Sequence, residues 1–171
     1  MSNALLEPPP QNGQAADGAW LSEEAYRAER GKPMPSENHA AIQMNLGVEF
    51  IRRHPELRPH GELTLNIGGK PYTPDISVYP RKPLDLAHDV SRKKEPPLTV
   101  VEIFSPQQGS QEIMDKVDVY FAHGVKSCWI VSPPLHTIQI RTATGYVAQF
   151  GHGIATDPDT GLSVDVDAVF T

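Results

Sequence analysis

The sequence predicts an α/β domain, in the broad sense that includes α+β folds, in which helices cover a β-sheet. Three patterns lead to this class. Apolar residues recur at helical spacing over residues 36–54 and again over residues 110–123. Residues 98–104 are apolar on both faces, which is typical of a strand covered on both sides. Polar and apolar residues alternate over residues 62–67, which predicts a further strand.

The composition fits one folded domain preceded by a tail. The chain has 171 residues and a formal net charge of −6, a length that suits a single hydrophobic core. Prolines and glycines punctuate residues 1–18, which we expect to be a disordered tail, and residues 19–171 form the predicted domain. No apolar run reaches the roughly 18 residues of a membrane helix and the start lacks a signal-peptide pattern, so we expect a cytoplasmic protein without membrane contact.

The negative net charge bears on the partners of the protein. Phosphate neutralisation supplies much of the affinity of nucleic-acid-binding domains, which are therefore mostly basic. An acidic total argues against tight nonspecific DNA binding, although the charge close to a site matters more than the sum.

Two helices are predicted before the first strand. A short helix over residues 20–30 has Ser22 as its cap, and a longer helix runs from Ser36 to about residue 54. Apolar side chains surround most of the longer helix, so we expect it to be packed on several sides. Its inward face carries His39, interpreted as a half-buried, hydrogen-bonded histidine, and Glu49. We expect Glu49 to be either exposed at the edge of that face or a third carboxylate for a metal ion.

Strands follow in the middle of the chain. Residues 62–67 form a strand, and the glycine pair at residues 68–69 predicts a tight hairpin turn. The partner strand is predicted to lead directly into residues 75–79, where Asp75 and Tyr79 share one face.

The segment between residues 80 and 97 is predicted to be a loop because it is rich in proline. It is also the densest basic stretch of the chain. A charged loop is usually only solvated, but in a nuclease we expect these cations to contact DNA phosphates. The cations are Arg81, Lys82, Arg92, Lys93 and Lys94.

Glu102 is the strongest physical indication of a functional site. It lies on an apolar face of the central strand, residues 98–104, and a buried carboxylate is costly unless a metal ion, a cation or a proton compensates it. A structural ion pair with an arginine is the alternative explanation.

A lysine lies at the edge of the buried stripe of the helix that follows the central strand. Ser110 is the predicted cap, Gly124 the predicted end, and Tyr120 belongs to the buried stripe. Lys116 is roughly 85° from the centre of that stripe, at 100° per residue. Its stem can lie along apolar surface and deliver the ammonium group to the strand ends, and ordinary snorkelling explains the position equally well.

The C-terminal part of the chain adds strands. Residues 126–131 form a strand in which the single cysteine, Cys128, is expected to be a buried, reduced thiol. Residues 136–141 and 145–150 alternate and together predict a hairpin, and residues 162–170 add a short last strand or edge.

These residues combine into a hydrolytic site. Asp75 and Glu102 supply oxygen ligands for Mg²⁺ (or Mn²⁺), and the backbone carbonyl of Ile103 completes the metal shell. Lys116 positions the attacking water, helps to deprotonate it, or neutralises the transition state. Phosphodiester hydrolysis needs these parts, but the spacing of such common residue types has little specificity by itself.

Several motifs occur together in a specific order. The sequence reads TPDISVY at residues 73–79, VEIFSP at residues 101–106 and DK at residues 115–116, followed by Tyr120, Gly124-Val125 and Trp129-Ile130-Val131. This order resembles the Uma-type family of bacterial predicted restriction endonucleases, within the PD-(D/E)xK nuclease-like superfamily. The resemblance covers residues 33–142 and includes the entry into the long helix, from Pro33 to His39.

The resemblance implies a restriction-endonuclease-like fold, which is a mixed β-sheet flanked by helices, with Mg²⁺-dependent DNA cleavage and often a homodimer. Asp75 matches the acidic residue of the first motif, and Glu102 matches that of the second. The superfamily usually places its lysine two residues after that glutamate, where this chain has Phe104. In this family the lysine lies in the helix, a position that Lys116 fits.

Two functions of different classes follow from these observations. The first is a metal-dependent endonuclease that acts on DNA, without any segment that resembles a sequence-recognition domain. The second is a catalytically inactive nuclease-like fold used as a binding or regulatory module, which the acidic net charge and the absent in-strand lysine favour. Hydrolysis of a non-nucleic phosphoester is a remote third function.

Overall fold

The computed structural model of the protein describes residues 34–105 and 108–171, together with Ser22, Glu24, Ala25, Arg27 and Lys32. It separates into two units, residues 1–35 and residues 36–171. In the first unit, residues 24, 25 and 27 are helical and the N–H of Ala25 donates to Ser22 Oγ (3.2 Å), which confirms Ser22 as a helix cap. The predicted tail, residues 1–18, lies outside the described residues.

The two long helices begin and end close to the predicted positions. Helix α1 (Glu37–Arg53) starts after Ser36, whose Oγ accepts a hydrogen bond from the N–H of His39 (3.3 Å). Helix α2 (Ser110–His123) is capped by Gly109 and not by Ser110, which is its first helical residue. Gly124 ends α2 in the left-handed conformation (φ 103°), which only glycine adopts without strain. The third helix, α3 (Val166–Val169), is a single turn.

None of the helices formed by the described residues is long and apolar enough to cross a lipid bilayer.

A six-stranded mixed sheet forms the centre of the second unit, and its strands are given next in the order in which they lie in the sheet. Its members are β1 (Leu57–Gly61), β4 (Ile76–Pro80), β6 (Thr99–Ile103), β7 (Ser127–Ser132), β8 (Thr137–Thr142) and β9 (Val147–Phe150). All neighbours are antiparallel except β6 and β7, which are parallel and joined by α2. A helical crossover is the usual connection between parallel neighbours. The hairpin predicted near residue 145 is confirmed as the β8–β9 pair.

Two small sheets accompany the main one. The first contains β2 (Thr64–Ile67), β3 (Lys70–Tyr72) and β5 (Arg92–Lys93), and the second contains β10 (Ile154–Thr156) and β11 (Ser163–Asp165). Two predictions are corrected here, and one strand is added. β3 does not continue into β4, because the two strands belong to different sheets; the predicted loop at residues 80–97 contains β5; and residues 57–61 form β1, which was not predicted.

The main sheet is covered on both faces, as the central strand predicted. On one face, Ile76, Val101, Ile103 and Trp129 share a buried cluster with Leu46 and Phe50 of α1. On the other face, Val100 and Cys128 share a buried cluster with Ile113, Val117 and Tyr120 of α2. Adjacent residues of β6 therefore point to opposite helices, and Glu102 points to the α2 side.

Helix α1 is packed on one side by the described residues. Its outer side exposes Met44 (68%), Val48 (54%) and Ile51 (49%). The prediction that the helix is packed on several sides is therefore wrong for the described part of the chain.

Candidate active site

Asp75 and Glu102 lie at the same end of the neighbouring strands β4 and β6. Ile76, the first residue of β4, lies opposite Val101 of β6. Asp75 directly precedes β4, and Glu102 is the next-to-last residue of β6. Both side chains are buried, with 4% of Asp75 and 5% of Glu102 exposed. The structure thus places the two predicted carboxylates at the same end of neighbouring strands.

The Asp75 carboxylate contacts both the main sheet and helix α1. Its Oδ2 accepts a hydrogen bond from the backbone N–H of Ile103 (2.7 Å), and its Oδ1 lies 3.2 Å from Nε2 of His39 on α1. Its backbone carbonyl accepts from Gln43 Nε2 (2.8 Å) and from the N–H of Glu62 (3.0 Å). Glu62 has φ 52°, a conformation that strains a residue with a side chain. Strand, helix and turn therefore fix Asp75 in one orientation.

The Glu102 carboxylate is held from α2. The Tyr120 hydroxyl donates to Oε1 (2.6 Å), and Nζ of Lys116 lies 3.6 Å from Oε2. Lys116 and Tyr120 are four residues apart, so they share one face of the helix. Burial and the negative charge of Glu102 raise the pKa of Tyr120, so the phenol stays protonated and remains a donor. The structure thus places the ammonium group of Lys116 beside the carboxylate of Glu102.

Cys128 is a free thiol buried on the same face of the sheet, as predicted. Burial, with a further contribution from the charge of Glu102, raises the pKa of its thiol. A neutral buried thiol behaves as a small apolar side chain. Cys128 is therefore a packing residue beneath the carboxylate pair.

Glu49 lies elsewhere in the fold. Its side chain is only 4% exposed, forms ion pairs with Arg52 and Arg53, and accepts a hydrogen bond from the N–H of Asp165 (3.0 Å). It follows His39 by ~15 Å along the helix axis, at about 1.5 Å per residue. The expectation of an exposed Glu49 is wrong, and the structure does not bring this residue to the carboxylate pair.

Replacing Glu49 by glutamine is expected to make protein stability less sensitive to acid. Burial raises the pKa of Glu49, but the Asp165 N–H and the Arg53 and Arg52 side chains outweigh burial and hold that pKa below its usual range. A depressed folded-state pKa contributes stability that is fully present above the unfolded-state pKa, about 4.3, and is lost as the pH falls through the folded-state value.

Urea unfolding at pH 7 and at pH 3 measures this contribution. The wild type should lose more free energy of unfolding on acidification than Glu49→Gln, and the exposed Asp118→Asn variant should behave like the wild type. An equal loss in the wild type and Glu49→Gln would show that Glu49 is not stabilised as an anion.

Two of the five predicted DNA-contacting cations, Arg81 and Lys93, lie toward the other end of β4. Arg81 follows that strand directly, and Nζ of Lys93 lies 4.3 Å from the centre of the Tyr79 ring. Six residues of extended chain separate Asp75 from Arg81, which is ~20 Å at about 3.3 Å per residue. Lys93 is partly buried, while the other cations, Arg81, Lys82, Arg92 and Lys94, are exposed.

Three contacting groups were not among the predicted site residues. His39 had only been interpreted as a half-buried histidine, Gln43 had no predicted role, and Tyr120 was assigned to the buried stripe. Their spacing is the signal that could have indicated these contacts. His39 and Gln43 are one helical turn apart, as are Lys116 and Tyr120, and each pair includes a polar group on an inward face. Ile103 contacts the Asp75 carboxylate through its backbone N–H. The role of its backbone carbonyl as a metal ligand stays a prediction.

No group of three or more His, Cys, Asp or Glu side chains is arranged to hold a metal ion within the described part of the chain.

A mixed sheet covered by α1 and α2, with two buried carboxylates at the same end of β4 and β6, defines a nuclease-like α/β domain. The chain belongs to the Uma2 family, described as "Putative restriction endonuclease", whose sequence model matches residues 27–153. This match confirms the resemblance that the motifs predicted.

A solved structure shows the same fold. It is the crystal structure of a "putative nuclease belonging to DUF820" from Anabaena variabilis, which is 23% identical, has a TM-score of 0.66, and is aligned over 81% of this chain and 83% of that chain. At this identity the likeness concerns the fold, and it confirms the predicted restriction-endonuclease-like architecture. Among the curated proteins, none matches the chain.

Proposed function

We propose that the protein is a metal-dependent endonuclease that hydrolyses DNA phosphodiester bonds with Asp75, Glu102 and Lys116. The observation that carries this proposal is two buried carboxylates at the same end of neighbouring strands, with an ammonium group 3.6 Å from Glu102. Burying carboxylates is costly, and such groups are usually retained where their charge is used. Membership of a family described as "Putative restriction endonuclease" supports the same chemistry.

The donor atoms of the pair fit a hard divalent cation. Mg²⁺ is commonly held by one or two carboxylates, with water and substrate phosphate oxygens as its remaining ligands. Asp75 and Glu102 would hold Mg²⁺ (or Mn²⁺), since carboxylate oxygens are the hard ligands that these ions prefer. The Ile103 carbonyl is proposed as a further ligand.

The chain's own groups have distinct proposed roles. A bound divalent ion lowers the pKa of water and stabilises charge on a phosphoryl group. Ile103 N–H and His39 orient the Asp75 carboxylate. The Lys116 ammonium supplies positive charge beside Glu102, where it orients the attacking water and balances the charge that develops on the phosphate.

The basic segment is proposed to bind the DNA backbone away from the scissile bond. The ~20 Å between Asp75 and Arg81 corresponds to about six steps of 3.4 Å along one strand. Arg81, Lys82, Arg92, Lys93 and Lys94 therefore support a footprint that begins at the active site and continues along β4. The concentration of cations in this segment offsets locally the net charge of −6.

The proposed assembly is a homodimer. The outer side of α1 exposes Met44, Val48 and Ile51, which recur at about one helical turn. An apolar helix face of this kind is typical of a surface that another protein covers.

A cleavage assay on single- and double-stranded DNA tests the proposed function. Purified protein with millimolar Mg²⁺ or Mn²⁺ is expected to cut at least one of these substrates, a chelator is expected to stop cleavage, and added metal is expected to restore it. Cleavage that persists in chelator, or no cleavage with either metal, would contradict the proposal.

One observation favours a second function. Phe104 stands where the superfamily usually has its lysine, so the only proposed cation of the site comes from α2. In this alternative the protein is an inactive nuclease-like fold that serves as a binding or regulatory module. Failure of cleavage together with greater stability of Glu102→Gln would favour this alternative, since an unused buried charge only costs free energy.

A further inference from the structure

We propose that Tyr120 is the positioning residue for Glu102, a role that rests on the proposed function. The Tyr120 side chain is fully buried, and its hydroxyl donates to Glu102 Oε1 at 2.6 Å. A hydrogen bond from a hydroxyl to a carboxylate at this distance is among the stronger kinds found in proteins.

The two oxygens of Glu102 are divided between two residues of α2. Tyr120 contacts Oε1, while Lys116, one turn earlier, contacts Oε2. Contacts to both oxygens fix the rotation of the carboxylate plane as well as its position. Residues that orient a metal-binding carboxylate in this way strongly affect metal affinity.

Only the hydroxyl of Tyr120 is specific to this role. The ring belongs to the apolar cluster under α2 and meets the Tyr72 ring at 6.1 Å between centroids. A phenylalanine would fill the same apolar space, so apolar packing alone does not require the hydroxyl. The Tyr120→Phe substitution therefore separates packing from positioning.

Tyr79 provides a matched control. It is also buried (6% exposed), and its hydroxyl also makes a hydrogen bond, to the carbonyl of Glu95 (2.9 Å). Tyr79 is the fourth of the five residues of β4, whereas Asp75 directly precedes that strand. Tyr79→Phe thus removes a buried, bonded hydroxyl without touching either carboxylate.

Titration with Mn²⁺ alone, followed by calorimetry, tests the inference. Tyr120→Phe is expected to bind Mn²⁺ about 10- to 100-fold more weakly than the wild type, and Tyr79→Phe is expected to bind like the wild type. DNA cleavage by Tyr120→Phe should recover as the Mn²⁺ concentration is raised, because the substitution weakens metal binding and leaves both carboxylates in place.

The possible outcomes separate this inference from the proposed function. Wild-type affinity in Tyr120→Phe overturns the role of Tyr120 and leaves the nuclease site unaffected. Equal losses in Tyr120→Phe and Tyr79→Phe also overturn it, because a general structural effect then explains both. A wild-type protein that binds no Mn²⁺ and cuts no DNA overturns the proposed function and, with it, the inference.

Discussion

Glu102→Gln is expected to lower metal-dependent DNA cleavage by on the order of 10³-fold while leaving the protein folded. Glutamine keeps the shape of the side chain but removes the charge that would hold the metal ion and pair with Lys116. Loss of metal-assisted stabilisation is worth several kcal/mol, and each tenfold change in rate corresponds to about 1.4 kcal/mol. The fold should survive, because a neutral side chain is easier to bury than an anionic one.

Cleavage rates at saturating Mg²⁺, with thermal unfolding measured in parallel, provide the test. Asp118→Asn removes an exposed carboxylate from the same helix that supplies Lys116 and should retain wild-type activity. Activity of Glu102→Gln within about threefold of the wild type, a difference of under 1 kcal/mol, would exclude Glu102 from the chemistry.

Trp129→Ala is expected to cost about 3–5 kcal/mol of stability, a large share of the 5–15 kcal/mol that typically holds a domain folded. Trp129 is completely buried and packs edge to face on Phe50, with ring centroids 5.4 Å apart. Its Nε1 also donates to the buried Oδ2 of Asp157 (3.3 Å). The substitution leaves a cavity between β7 and α1 and removes one donor from a buried carboxylate.

Urea unfolding of Trp129→Ala and Trp129→Phe measures this contribution. Phenylalanine fills most of the space and should cost less than alanine, whereas Leu135→Ala at an exposed position (69%) should cost little. A loss of under 1 kcal/mol for Trp129→Ala would show that this core is packed differently.

Much of the fold follows from local patterns in the sequence. Apolar periodicity predicts α1 and α2, and cap residues such as Ser36 and Gly124 place their ends. β1 escaped prediction because Pro59 and Gly61 disfavour a strand, and an edge position of the sheet tolerates both. The separation of β3 from β4 also escaped prediction, since alternation indicates strands but not the sheet to which each belongs.

In the candidate site, too, some residues have a local sequence signal and others do not. Glu102 was singled out because a carboxylate in an apolar strand needs compensation, Asp75 because it matches the first motif of the family, and Lys116 because it borders the buried stripe. Tyr120 was not, since a tyrosine in that stripe is usually a packing residue. Glu49 was placed wrongly because its backbone partner, Asp165, lies 116 residues further along the chain. Such long-range contacts leave no periodic pattern in the sequence.

The most direct test of the central claim is anomalous X-ray scattering from crystals grown with Mn²⁺. The proposed function predicts one anomalous peak between the two carboxylates, at about 2.0–2.2 Å from an oxygen of Asp75 and an oxygen of Glu102. The peak should disappear in crystals of Glu102→Gln grown in the same way. A wild-type crystal with no peak at this position, or with Mn²⁺ bound only elsewhere, would contradict the claim that Asp75 and Glu102 form a metal-dependent active site.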